Sequence, residues 1–170
     1  MNIQRKMMAV AVLTVLTAAC SSEKKPPVDL NKTSEIIEVK YTNLYKNKTI
    51  PVKLNGVSMD MIFDTGCTGL SLSDHEVLTM LKNGQISNDD VIGSTPVIIA
   101  DGSMVENLVV TIRDVTICSD NGDKEIHIPN VRATVVRNQE APVLLGNGVL
   151  DEVASYEIDN INKVIRFKTH

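Results

Sequence analysis

Several residue types are scarce in this chain of 170 residues, and each shortage narrows its possible structure and function. Trp is absent and aromatic residues make up only 3% of the sequence, so a hydrophobic core must be built from aliphatic side chains. Basic residues form no run, and the formal net charge is −4. Because nucleic-acid binding depends on a basic patch, often with interleaved aromatic residues, this composition argues against a nucleic-acid partner.

Metal ligands and thiols are also scarce. The His residues are scattered at His75, His127 and His170, and no Cys or carboxylate spacing matches a metal site. We therefore expect no metal and no other cofactor. In the body of the chain, Cys67 and Cys118 are able to form a disulfide if the protein is exported, and the sequence leaves the bridged and free states open.

The N terminus has the pattern of an export signal. Arg5 and Lys6 precede an apolar stretch over residues 7–16, which is too short to span a bilayer. The segment Thr17-Ala18-Ala19-Cys20 then resembles a bacterial lipobox, in which small residues precede the Cys that is lipidated. A plain secretory signal is the alternative.

This pattern divides the chain into three parts. We predict a lipoprotein signal peptide over residues 1–19, a lipid-anchored flexible tether over residues 20–34, and one domain over residues 35–170. Ser21 follows the predicted lipidation site Cys20, and no Asp occurs there to signal inner-membrane retention. The expected location is the bacterial cell envelope, with the outer membrane preferred by analogy with lipoprotein sorting.

The domain itself shows the pattern of short, closely spaced strands that is typical of an all-β barrel or sandwich. One helix interrupts it, because Ser73 and Glu76 form a capping box and Asn83-Gly84 supplies a stop. His75, in the first turn of this helix, is expected to be exposed. The apolar stripe predicted for the helix consists of Val77, Leu78, Met80 and Leu81.

The most informative motif is Asp64-Thr65-Gly66, which follows the apolar run over residues 59–63. This run is the second strand of a predicted hairpin whose turn is Asn55-Gly56, a strong hairpin signal. A strand therefore delivers a carboxylate into a Thr-Gly turn. In such an arrangement the β-sheet, rather than a flexible loop, holds the carboxylate in position.

Two further segments with informative patterns follow Asp64-Thr65-Gly66 along the chain, first a second hairpin and then a short apolar strand. Residues 97–100 and 104–112 surround Asp101-Gly102-Ser103 and predict a second hairpin, either a flap over an extended substrate or an ordinary surface hairpin. Residues 142–150 predict a short apolar strand that ends in Gly and is followed by a helical turn. Taken alone, that strand is typical of plain core.

In this order, and with the C-terminal hairpin of residues 156–159 and 164–167, the chain resembles the retropepsin-like aspartic peptidases over about residues 49–168. The resemblance implies a small closed barrel with one or two short helices and a flap. Two-lobed aspartic peptidases carry two Asp motifs, whereas this chain has one and no internal repeat.

The resemblance also implies a mechanism. Two adjacent carboxylates share one proton, so that one acts as base toward water and the other as acid toward the peptide oxygen. The second Asp64 must then come from another copy in a symmetric homodimer that cleaves peptides. Thr65 would hydrogen-bond across the twofold axis, Gly66 would let the two loops touch, and Thr68 would support the carboxylate. The substrate-binding flap tip would be Ala100, Asp101, Gly102 and Ser103.

Alternatives remain open at this level. Cys67 stands where the family usually has Ala or Ser, and it would be a nucleophile if His75 or His127 served as its base. Asp60, Asp101 and the solvated pair Asp89-Asp90 are other carboxylates, and each is expected at the surface. A barrel with a flap would also suit a non-catalytic module that binds peptides or a protein partner.

Overall fold

The computed structural model describes residues 34–99 and 101–170. The predicted signal peptide, Cys20 and the tether up to residue 33 lie outside them. The described part of the chain forms these elements in order: β1 Ile36–Lys40, β2 Thr42–Leu44, β3 Asn47–Leu54, β4 Val57–Phe63, β5 Leu70–Ser73, α1 Asp74–Lys82, a 3₁₀ turn Asn88–Asp90, β6 Val91–Ile98, β7 Met104–Cys118, β8 Glu125–Val136, β9 Leu144–Leu145, α2 Asn147–Leu150, β10 Ser155–Asp159 and β11 Val164–Lys168.

Six of the strands form a closed ring. The neighbours follow the order β3, β4, β9, β5, β8 and β7, and a short antiparallel pairing between β3 and β7 closes the ring. β2 and β6 extend this sheet, and β1, β11 and β10 form a separate antiparallel sheet. The predicted all-β closed barrel with two short helices is therefore confirmed.

The hairpin that leads to Asp64 forms as predicted. Asn55 and Gly56 both have positive φ values, 48° and 83°, as a two-residue type I′ turn requires. β3 and β4 pair in antiparallel register from Leu54 opposite Val57 to Thr49 opposite Ile62. This register ends the strand immediately before the carboxylate.

The core is aliphatic, as the composition predicts. Its fully buried side chains include Ile50, Leu72, Met80, Ile112 and Leu145, and Phe167 is the largest of them. Burying such a side chain stabilises the fold by about 1.5–3 kcal/mol relative to leaving it in water. Most of the buried surface of the core is therefore aliphatic, and one small aromatic cluster joins it, in which the Phe63 ring lies 5.1 Å from that of Tyr156 and 6.3 Å from that of Phe167.

The helix α1 confirms the predicted capping box and corrects the predicted apolar stripe. Ser73 accepts a hydrogen bond from the His75 N–H and contacts the Glu76 side chain, and His75 is exposed. The prediction for Leu78 was wrong, because its side chain is 49% exposed. A helix of nine residues buries a narrow face, here Val77 and Met80, and Leu78 lies beside that face.

Asp90 also corrects an expectation, because it is buried rather than solvated. It accepts hydrogen bonds from the backbone N–H and the hydroxyl of Ser87, and it forms an ion pair with Arg113. The Ser87 N–H and the Arg113 guanidinium lower the pKa of this carboxyl below its usual value. The pair joins the start of β6 to β7, at the base of the hairpin that those two strands form. Asp89 is exposed, as expected.

None of the helices in the described residues has the length and apolar character needed to cross a membrane.

Candidate active site

Asp64 is held by the pairing of β4 with β9. The two strands are parallel, and the Asp64 N–H donates to the carbonyl of Leu145 at 3.0 Å, one residue beyond the last paired position. The side chain is half-buried, and its Oδ1 accepts a hydrogen bond from the Gly66 N–H at 2.8 Å. The backbone of the barrel and the turn together therefore orient the carboxylate.

The turn that follows Asp64 is also held by the start of α2. The Asn147 Nδ2 donates to the carbonyl of Thr65 at 3.1 Å. The backbone N–H groups of Asn147 and Gly148 donate to the carbonyls of Cys67 and Thr68 at 2.8 Å and 3.0 Å. The three bonds hold the loop by its carbonyl groups and leave Thr65 and Gly66 exposed at the surface.

Close packing at this junction requires glycine at position 146. A Cβ on Gly146 would lie 2.3 Å from the carbonyl oxygens of both Cys67 and Gly69. The backbone of Gly146 is extended, with φ −109°, so the requirement is steric and not conformational. The Gly that ends the predicted apolar strand thus serves to bring α2 against the Asp64 loop.

A cavity of about 660 Å³ opens beside Asp64. Its walls come from the Asp64 loop, from β5, from β8, from the flap and from the segment before β9. The residues that line it are Asp64, Gly66, Cys67, Thr68, Gly69, Leu70, Ser71, Val97, Ile98, Ile99, Asn107, Thr134, Val136, Ala141, Pro142 and Leu144. A smaller cavity of about 430 Å³ lies beside β1 and contains none of the Asp-Thr-Gly residues.

The flap hairpin forms as predicted between β6 and β7. At its tip, the Gly102 N–H donates to the Ile99 carbonyl at 2.8 Å, and the Ser103 N–H donates to the Asp101 Oδ1 at 2.8 Å. Hydrogen bonds from the Ser103 hydroxyl and N–H lower the pKa of the Asp101 carboxyl. The tip is thus closed on itself by its own polar groups.

The residues predicted to be catalytic (Asp64, Thr65 and Gly66) and those predicted to bind substrate (Thr68 and residues 100–103) are only partly brought together at the cavity. Asp64, Gly66 and Thr68 line the cavity, whereas Thr65, Asp101, Gly102 and Ser103 are exposed and stand outside its lining. Ala100 lies outside the described residues. The flap instead reaches the cavity through the residues just before its tip, Val97, Ile98 and Ile99.

Both cysteines of the described residues are free. Burial and the nearby Asp64 charge raise the pKa of Cys67, whose thiol donates to the Gly69 carbonyl at 3.2 Å. A raised pKa keeps this sulfur protonated and opposes the nucleophile hypothesis. Neither proposed base lines the cavity, since His75 lies in the first turn of α1 and His127 contacts Asp114 on the barrel surface.

Among the described residues, a single carboxylate lines the cavity. Asp64 is the one charged side chain among the cavity-lining residues in the described part of the chain. Asp60 is exposed on β4, and Asp90 is paired with Arg113. No group of His, Cys, Asp and Glu side chains within residues 34–99 and 101–170 is arranged to hold a metal ion.

Sequence reasoning missed several residues of the cavity wall. Ser71, Asn107 and Thr134 lie in the interiors of strands, where they look like ordinary polar positions. Asn147, which lies outside the cavity wall, was missed as well, because no local sequence pattern predicts its hydrogen bond to the Thr65 carbonyl. The one sequence signal for these wall residues was side-chain alternation, which puts Asn107 and Val109 on one face of β7 and Thr134 and Val136 on one face of β8. Alternation alone does not show that either face borders a cavity.

Comparison with known proteins agrees with this geometry. The chain matches the family model described as "gag-polyprotein putative aspartyl protease" over residues 50–152, more than half of its length. No curated protein sequence matches the chain.

Two solved structures resemble the fold. A retropepsin-like aspartic protease from Rickettsia conorii matches with a TM-score of 0.54 and 17% sequence identity, covering 81% of this chain and 94% of that chain. The EIAV protease complexed with the inhibitor HBY-793 matches with a TM-score of 0.46 and 22% identity, covering 69% of this chain and 98% of that chain. The family match, together with an Asp-Thr-Gly turn that opens into a cavity beneath a flap, shows that the chain belongs to the gag-polyprotein aspartyl protease family and is an aspartic endopeptidase of retropepsin-like fold.

Proposed function

We propose that the protein is an endopeptidase of the bacterial cell envelope that works as a homodimer, with two copies of Asp64 activating the attacking water. The observation that carries this proposal is the single carboxylate of the cavity. Asp64 is the one acid among the cavity-lining residues of the described chain. Peptide hydrolysis between paired carboxylates needs both a base and an acid, and in this proposal a second copy of the chain supplies the second carboxylate.

The exposure of the catalytic turn supports a second copy as that source. Thr65 and Gly66 are exposed, although their loop is held by backbone bonds to β9 and α2. Gly66 carries no side chain that would keep another loop away. A twofold axis beside this turn would bring two Asp64 carboxylates together and would use the same surface of both protomers.

The chemistry then follows from one proton shared by two carboxylates. The charged Asp64 takes a proton from water, whose oxygen attacks the peptide carbonyl carbon, while the protonated Asp64 of the second copy donates its proton to the carbonyl oxygen. Collapse of the tetrahedral intermediate re-forms the carbonyl, breaks the C–N bond and transfers a proton to the leaving nitrogen. The flap residues Val97, Ile98 and Ile99 would cover the peptide and exclude bulk water.

Dimer formation is tested by activity at different protein concentrations. The lipid-free protein from Ser21 onward is assayed on a mixed peptide library, and cleavage sites are identified by mass spectrometry. We expect the rate per protomer to rise with concentration and then reach a plateau, because only the dimer contains two carboxylates. A rate per protomer that is constant down to concentrations at which ultracentrifugation shows a monomer would refute the shared site.

Subunit mixing provides the sharper control. Adding an equal amount of Asp64→Asn protein to a fixed amount of wild type should reduce the rate to about half, because random pairing places half of the wild-type protomers in mixed dimers. The matched control is Asp60→Asn protein, which carries the same substitution on an exposed residue of β4. Because the Asp60→Asn protein is itself active, adding it should raise the rate to about twice the original. Equal effects of the two proteins would contradict the proposal.

The envelope location is supported by the leader sequence. The apolar stretch over residues 7–16 and the small residues before Cys20 fit lipoprotein processing, and the polar residues 21–33 suit a tether. Anchoring would also raise the local concentration of protomers and favour the dimer. In bacteria that express the full chain, labelled palmitate should enter the wild-type protein and be absent from Cys20→Ala. Labelling of that variant would exclude Cys20 as the lipid site.

A further inference from the structure

Apart from the Asp64 loop, which contributes Asp64, Cys67 and Thr68, three polar side chains form part of a cavity wall that is otherwise aliphatic. Ser71 lies on β5, Asn107 on β7 and Thr134 on β8. Their neighbours in the wall include Val97 and Val136. Ser71 and Thr134 are half-buried, and none of the three side chains is a fully buried polar group without a partner, so their polar groups stay accessible from the cavity.

Strand register explains why the three side chains lie on one face. Ser71 is directly opposite Thr134 in the parallel pairing of β5 and β8. Thr134 is opposite Val109 in the antiparallel pairing of β8 and β7. Asn107 is two residues from Val109 and therefore projects from the same face of β7, diagonal to Thr134. We call Ser71, Asn107 and Thr134 the polar subsite.

Asn107 is the most buried member of the polar subsite. It is only 6% exposed, and the exposure that remains is toward the cavity. Within the described residues, none of the side-chain hydrogen bonds involves this amide or the hydroxyls of Ser71 and Thr134, and none of the three groups is fully buried and unpaired, so each is open to the cavity. Two donors and two acceptor lone pairs on the amide are thus available to a group that enters the cavity.

We propose that the polar subsite binds an uncharged polar side chain of the substrate peptide, an amide or a hydroxyl, near the cleaved bond. This inference rests on the proposed peptidase function and adds a substrate class to it. A cationic side chain would find no carboxylate in the cavity other than the catalytic Asp64, and an anionic side chain would be repelled by that charge. An amide or hydroxyl side chain would satisfy the hydrogen-bonding groups of Asn107 and Thr134 without adding charge.

The test is cleavage of a peptide library that is randomised on both sides of the scissile bond. We expect wild type to favour Asn, Gln, Ser or Thr over Leu and Val at one position near that bond, by about tenfold to a hundredfold in kcat/KM, because an apolar side chain would leave the polar groups of the subsite unpaired. Thr134→Val and Asn107→Leu remove the polar groups at nearly constant volume. Together they should reverse the preference at that position and leave the other positions unchanged.

The matched control is Thr111→Val, the same substitution on β7 at a half-buried residue outside the cavity wall. It should retain the wild-type preference. If the double variant does not fold, as judged by its circular dichroism, the isosteric Thr134→Val alone is used and should weaken the preference.

The outcomes separate this inference from the function on which it rests. Cleavage by wild type with aliphatic preference at every position, or a polar preference that the variants leave intact, would overturn the polar subsite while the peptidase function stands. Absence of any Asp64-dependent cleavage would overturn both.

Discussion

Replacing Asp64 by Asn is expected to lower kcat/KM for peptide cleavage by at least about 10³-fold, because the amide can neither accept the proton of water nor share a proton with a second carboxylate. The side chains of Asp and Asn have nearly the same shape. The Asn oxygen can still accept the hydrogen bond that Asp64 Oδ1 receives from the Gly66 N–H. Loss of activity should therefore occur in a protein whose unfolding temperature and oligomeric state match those of wild type.

The control for this prediction is Asp60→Asn. Asp60 lies on β4, the strand that leads to Asp64, and it is exposed and does not line the cavity. It should retain the wild-type kcat/KM within about twofold, as is usual for surface substitutions away from special features. Both variants are assayed on the same peptides. An Asp64→Asn protein that is folded and fully active would remove the basis for calling this carboxylate catalytic.

Replacing Gly146 by Ala is expected to lower the free energy of unfolding by about 3 kcal/mol or more. The added Cβ would lie 2.3 Å from the carbonyl oxygens of Cys67 and Gly69, and backbone atoms on both sides cannot move as freely as the end of a side chain. The expected fall in unfolding temperature is roughly 10 °C, as measured by circular dichroism. Activity should fall as well, because the Cys67 carbonyl belongs to the loop that presents Asp64.

Gly148→Ala is the matched control in the same segment. The Cβ of an Ala at position 148 would approach nothing closer than the Gly69 Cα, at 3.2 Å. Position 148 also lies inside α2, where Ala is favoured over Gly by about 1 kcal/mol. The expected change in the free energy of unfolding is therefore within about 1 kcal/mol of zero. If the two glycine variants unfold at the same temperature, close packing against the Asp64 loop is not the reason that position 146 requires glycine.

Local features of the fold were predictable because local chemistry determines them. The Asn55-Gly56 turn needs two residues that tolerate positive φ, and the flanking alternation specifies the strands on either side. The Ser73 capping box specifies where α1 begins. Leu78 was predicted wrongly because a short helix buries fewer positions than its apolar residues suggest. Asp90 was predicted wrongly because its partner Arg113 comes from a distant strand.

The candidate site was predictable at its centre and not at its walls. Asp64 and Gly66 are in one motif, and a strand delivers them into the cavity. The wall requires strands that are far apart in the chain. Asn107 and Ser71 belong to β7 and β5, and they approach each other only because β8 lies between those strands in the sheet. Strand order is a property of the whole barrel.

From its sequence alone, this protein is an all-β chain with a carboxylate held in a Thr-Gly turn and a hairpin placed to cover it. Turn residues and side-chain alternation act over a few neighbouring positions, so the sequence is sufficient for them. Only the tertiary structure decided that both Cys67 and Cys118 are free, that Gly146 packs on the Asp64 loop, and that polar side chains line the cavity. The physical reason is ring closure, which sets distances between residues that are remote in the chain.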